Sequence, residues 1–188
     1  HDVDGKAPAL GNIGVIWHDK GELDKALEYK QEAQAQAHGL GDQWAEAVYL
    51  GNIGSVWRDK GDLDKALEYY EQALELSRAL GDKWGMASDL ARIGSIYRDK
   101  GRLDKALLYK EEALAMARKI GYRLGVVTVL SSIGSIYYNQ GRLDRALVYG
   151  REALGLARET AYGTILRDAY TKQDFILKDK EEYAQAVP

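Results

Sequence analysis

A block of forty residues returns four times along this 188-residue chain, in register and without drift. Ile13-Gly14, Ile53-Gly54, Ile93-Gly94 and Ile133-Gly134 mark one place in the block. Gly21, Gly61, Gly101 and Gly141 mark a second, each followed by Leu-Asp-(Lys/Arg)-Ala-Leu at 23–27, 63–67, 103–107 and 143–147. A third mark falls at Gly41, Gly81 and Gly121, and the second and third blocks agree at about half of their positions. A unit this short cannot enclose a core of its own. The period therefore requires an array in which each block buries its apolar face against its neighbours.

Each block reads as two helices. In the second block Ala47, Leu50, Ile53, Val56 and Trp57 recur at steps of three and four, which predicts a helix over roughly 44–60. Gly61 follows where a helix end needs a residue tolerant of positive φ. Leu63, Ala66, Leu67, Tyr70, Ala73, Leu74 and Leu76 make the stripe of a second helix over roughly 63–80, closed by Gly81. Asp64 in its first turn and Arg78 in its last complement the helix dipole. Pro8 and Pro188 are the only prolines, so nothing between them interrupts long helices. Hydrophobic residues make up 46% of the chain, enough to fold, but no apolar run approaches the length of a membrane span.

The spacing of Leu50, Ile53-Gly54, Trp57, Ala66, Tyr70 and Ala73 resembles the signature of the tetratricopeptide (TPR) repeat family. It recurs as Leu10, Gly14, Trp17, Ala26 and Ala33, as Leu90, Gly94, Tyr97, Ala106 and Ala113, and as Leu130, Gly134, Tyr137, Ala146 and Ala153. The likeness covers roughly residues 7–160. Two features depart from it. Arg78 stands near the place of the usual closing proline, and the late aromatic kept as Tyr70 is Lys30, Lys110 and Gly150 elsewhere. The longer period, with Gly-Asp at the second break, is similar to that of spindle-orientation adaptors of the Pins type and of arrays in prokaryotic signalling proteins. The resemblance implies an all-α, right-handed superhelical solenoid of antiparallel helix pairs.

The expected organisation is a tag remnant or disordered start over 1–6, four TPR-like hairpins over 7–160 (about 7–40, 41–80, 81–120 and 121–160), and a C-terminal capping helix over 161–188. Terminal units of such arrays need a wettable outer face, and register fades after Arg158. His1 in place of Met suggests a piece of a larger parent.

Chemistry is sparse. His1, His18 and His38 have no metal-ligand spacing, and the absence of cysteine removes thiol nucleophiles, thiolate ligands and disulfides. No nucleophile elbow or phosphate loop occurs, because the glycines follow the forty-residue period. No enzyme activity, cofactor or metal is expected. A net charge of −3 with interleaved acids speaks against nucleic acid, and a cytoplasmic setting without membrane insertion is expected. Residues 1–80 hold 8 Lys and Arg against 15 Asp and Glu, and residues 81–188 hold 18 against 14, so the two parts carry −7 and +4.

In TPR arrays the first helix of each hairpin lines the concave face. Carried onto this sequence, the resemblance implies a groove floor of Gly11, Val15, Gly51, Ser55, Ala91, Ser95, Ser131 and Ser135. The expected peptide-binding residues are Asn12, His18, Asn52, Ser55, Arg58, Arg92, Ser95, Arg98, Ser135 and Tyr138. Arginine offers a planar fork to carboxylates and asparagine a donor and acceptor to an extended backbone, so an acidic extended or helical peptide of a partner protein is the expected ligand. The alternative for the same arginines is pairing with Asp59, Asp99 or neighbouring repeats on an ordinary solvated face. Two other roles stand beside peptide capture. One is a self-associating head-to-tail homo-oligomer. The other is a sensor or spacer of a larger signalling protein.

Overall fold

The computed structural model describes residues 5–159 and residue 178. The expected capping helix over 161–188 lies outside the described residues, residue 178 apart. Eight helices occur among the described residues: α1 Lys6–Asp19, α2 Leu23–Leu40, α3 Gln43–Asp59, α4 Leu63–Leu80, α5 Lys83–Asp99, α6 Leu103–Lys119, α7 Arg123–Asn139 and α8 Leu143–Glu159. No strand is found among the described residues. The fold is an all-α, TPR-like solenoid.

The breaks arise from local chemistry. Gly41 and Gly81 close α2 and α4 at φ 71° and 67°, where a Cβ is disfavoured. The amide of the next residue reaches back over the turn, as in Asp42 N to Ala37 O at 2.9 Å. Asp42, Asp62 and Asp82 then start the following helices, their carboxylates accepting from the free amides of Ala45, Lys65, and Trp84 and Gly85. The turn inside each hairpin repeats one pattern: Asp62 N donates to Trp57 O at 3.0 Å and Arg102 N to Tyr97 O at 2.8 Å.

Small residues set the helix spacing. Ala26, Ala66, Ala106 and Ala146 are wholly buried between the two helices of their hairpins. A Cβ on Gly54 would lie 2.9 Å from the Tyr70 ring and 3.2 Å from the Ala66 carbonyl, so only glycine allows this approach. Ile53, Ile93 and Ile133, with Val56, Ile96 and Ile136, fill the junctions between hairpins. Among the described residues the core therefore lies along the array in three clusters, the largest running from α4 to α8.

The first helices lie on the inside. α3 touches α5 and α5 touches α7, while no comparable contact joins one second helix to the next. A stack in which one layer is closer together than the other curves towards the closer layer. The inner faces of α3, α5 and α7 consequently line the concave side.

Candidate functional site

Along α3 and α5 the inward positions recur at steps of four and three: Val48, Asn52 and Ser55 on α3, and Ser88, Arg92 and Ser95 on α5, ending at Arg58 and Arg98. The structure thus brings together Asn52, Ser55, Arg58, Arg92, Ser95 and Arg98. Ser135 and Tyr138 continue the row on α7. Asn12 and His18 belong to α1, where Asn12 is exposed.

Near the start of these helices, α3 and α5 enclose a hollow of about 190 Å³, lined by Val48, Asn52, Trp84, Ser88, Asp89 and Arg92 among others. Arg92 does not hang free in it. Its Nη1 donates to Asp89 Oδ1 at 3.1 Å, and its guanidinium lies 5.8 Å from the centre of the Tyr70 ring. Gly51 makes room for it, since a Cβ there would sit 2.7 Å from Nη1. Asp89 is buried and accepts a second bond from Ser77 Oγ at 3.2 Å. Burial pushes the Asp89 carboxyl up to about 6, against the pull of Arg92 and Ser77.

The serines are committed to the scaffold. Ser55, Ser95 and Ser135 each donate to the carbonyl four residues back, and Ser55 Oγ also meets Tyr70 Oη at 3.0 Å. Ser95 instead accepts from Lys110 Nζ at 2.8 Å. Lys110 occupies the place of Tyr70 one block on. It is only 3% exposed, with its stem packed beneath Gly94. Burial, reinforced by Arg98 and Arg58, pushes its amine down to about 7.

At the other end of the row the charged side chains pair between hairpins, as the alternative reading of the arginines requires. Arg58 Nε donates to Asp99 Oδ2 at 2.7 Å, and His18 Nε2 lies 2.7 Å from Asp59 Oδ2. Arg98 bonds Asp99 in its own hairpin. Burial would raise the Asp99 carboxyl, but bonds from Arg58 and Arg98 outweigh it and hold the group below the usual range. Sequence reasoning missed Lys110, Asp89 and the double role of Asp99. Two signals were available: a lysine in a column that holds Tyr70, and a charge at 89 in a column that holds Tyr49 and Val129. Among the described residues no cluster of His, Cys, Asp and Glu is suited to a metal ion, and no helix is long and apolar enough to cross a membrane.

The family described as the MalT-like TPR region matches residues 2–179. No curated protein matches the sequence. Among solved structures the chain is similar to BtubC from P. vanneervenii, at TM-score 0.84 and 22% identity over 98% of this chain and 76% of that one. It is similar to aspartyl phosphate phosphatase F from Bacillus subtilis, at TM-score 0.89 and 15% identity over 99% of this chain and 49% of that one. A Rap protein complexed with Competence and Sporulation Factor gives TM-score 0.82 and 17% identity, over 97% of this chain and 51% of that one. The chain spans about half the length of the last two. Identities this low speak for the fold alone.

Proposed function

Because the chain belongs to the MalT-like TPR region family, we propose that it is a protein-interaction scaffold that captures an acidic, extended or helical segment of a partner along its concave face. Folds of this repeat type are generally non-enzymatic scaffolds, and the Rap relative was solved with a factor bound. The observation that carries the reading is the row on α3 and α5. Asn52 and Arg92 border a hollow that Val48 and Trp84 make partly apolar, and Arg58 and Arg98 follow further along the same faces. Trp84, half exposed beside that hollow, offers an apolar seat, and Arg92 and Arg98, whose ion pairs lie within their own helix, offer forks for acidic side chains. Random-peptide display on the parent, beside an Arg58→Gln/Arg98→Gln variant of equal helicity, tests this. Acidic peptides enriched on the parent and lost on the variant support the reading. Identical selections on both proteins refute it.

A second reading, head-to-tail association with another copy, has its own observation. Ile13 and Ile16 on α1 are 37% and 53% exposed, although Ile53 and Val56, one block on, are 1% and 0% exposed inside a hairpin junction. No described residue covers this face of α1, and the −7 and +4 parts of the chain attract. Sedimentation at low and high salt tests it, since a monomer at every concentration removes the idea.

A further inference from the structure

One contact along the rim of the inner face repeats and then stops. His18 meets Asp59, and Arg58 meets Asp99, each across forty-one residues and each at 2.7 Å. The next rung would join Arg98 to residue 139, which is Asn139. Arg98 turns back onto Asp99 instead, donating from Nε at 3.1 Å and from Nη2 at 2.9 Å. Asp99 therefore serves two guanidinium groups, and the following hairpin supplies no acid to Arg98.

A second ladder ends at the same junction. Lys60 pairs with Asp24 and Lys100 with Asp64. Gln140 stands where the lysine for Asp104 would be, and its Oε1 is buried without a hydrogen-bond partner. Meanwhile the buried Lys110 amine, bonded to Ser95, lies close enough to Arg98 and Arg58 for both to perturb it. Arg58, Arg98 and the Lys110 amine thus converge where, among the described residues, Asp99 is the acid that bonds both arginines. The Arg58 rung shows what an arginine at this place binds, a carboxylate on Nε at charge-assisted distance, and His18 meets a carboxylate at the same place one block earlier.

We propose that the gap at residue 139 is a carboxylate-binding site, where an acidic side chain or C-terminus of the captured segment fills the missing rung on Arg98 beside Lys110. The inference rests on the groove reading and places the acidic anchor of the partner at the junction of the third and fourth hairpins. At the earlier junctions the next hairpin's own acid, Asp59 or Asp99, fills this place, whereas Arg98 reaches it by turning from Asp99, which keeps its bond to Arg58.

The test supplies the carboxylate from within. Asn139 is exposed, so Asn139→Asp restores the column of the earlier repeats without disturbing the core. The probe is fluorescein-labelled hexaglutamate, followed by anisotropy at low salt. The parent and Asn139→Ala bind it, and Asn139→Asp binds about tenfold more weakly, the loss of one charge-assisted bond. In an Arg98→Gln background Asn139→Asp makes little further difference, which separates a filled rung from general repulsion. Equal binding by the parent and Asn139→Asp overturns the inference and leaves the groove reading standing. So does an Asn139→Asp loss that persists undiminished without Arg98. No binding of hexaglutamate by the parent overturns both this inference and the acidic ligand.

Discussion

Replacing Lys110 by methionine isolates the most strained electrostatic feature of the array. The amine sits beneath Gly94 with Ser95 as its hydrogen-bond partner. Arg58 from α3, and Arg98 and Asp99 from α5, are the charges that act on it. Burial lowers it from 10.5 to about 7. Between these values the unfolded chain holds a proton that the folded chain has released. Stability must therefore rise with pH, by up to about 1.4 kcal/mol per unit. At pH 7 the group is about half titrated, so the gain from pH 7 to 9 integrates to about 2 kcal/mol. Methionine keeps the length of the stem and removes the charge, while Ser95 keeps its bond to the Ala91 carbonyl. The assay is urea unfolding of parent and Lys110→Met at half-unit intervals from pH 7 to 9. The range stays below the tyrosines that burial raises and above most of the Asp89 titration. Lys30, also lowered by burial, is common to both proteins and cancels. The variant should be the more stable at pH 7, with the difference shrinking towards pH 9. A difference constant within about 0.5 kcal/mol over that range would refute the reasoning.

Other perturbations probe separate parts of the account. Gly54→Ala presses a Cβ onto the Tyr70 ring and the Ala66 carbonyl, and should destabilise by about 1–3 kcal/mol, read as a lowered urea midpoint at unchanged slope. Asp89 has a carboxyl raised to about 6, so its contribution is present at low pH and lost as pH rises from about 4 through 6. The parent should therefore lose stability relative to Asp89→Asn across that range, and parallel pH profiles would contradict the burial argument. Lys100→Gln removes a rung to Asp64, whose side chain is 90% exposed, and should change stability by less than about 1 kcal/mol in thermal unfolding. A larger loss would mean that the ladders carry the stack instead of fixing its register.

Much of the fold is legible because its determinants are local. Glycine at the left-handed turns and aspartate at the helix starts act within four residues, so the helix read over roughly 44–60 is found at Gln43–Asp59, and the one read over roughly 63–80 at Leu63–Leu80. The columns of small and apolar residues likewise declare their packing through the period. The chemistry of the groove is less legible because it depends on neighbours one block away. Nothing local to Lys110 separates it from a solvated lysine on a helix, and its burial follows from the closeness of α5 allowed by Gly94. The ion pair of Arg58 joins it to Asp99, not to the adjacent Asp59, because the stack offsets each hairpin by one block. Asn139 was visible as a break in a column of aspartates, but only the ladder gives that break a meaning.

The central claim is that the concave face, built from the first helices, receives the partner. Backbone and side-chain chemical-shift mapping with a display-selected acidic peptide tests it most directly. The account predicts shifts concentrated on Asn52, Arg58, Arg92 and Arg98, with the outward-facing Leu108 and Val148 on α6 and α8 unmoved. Shifts centred on Leu108 and Val148, with the inner row silent, would contradict it.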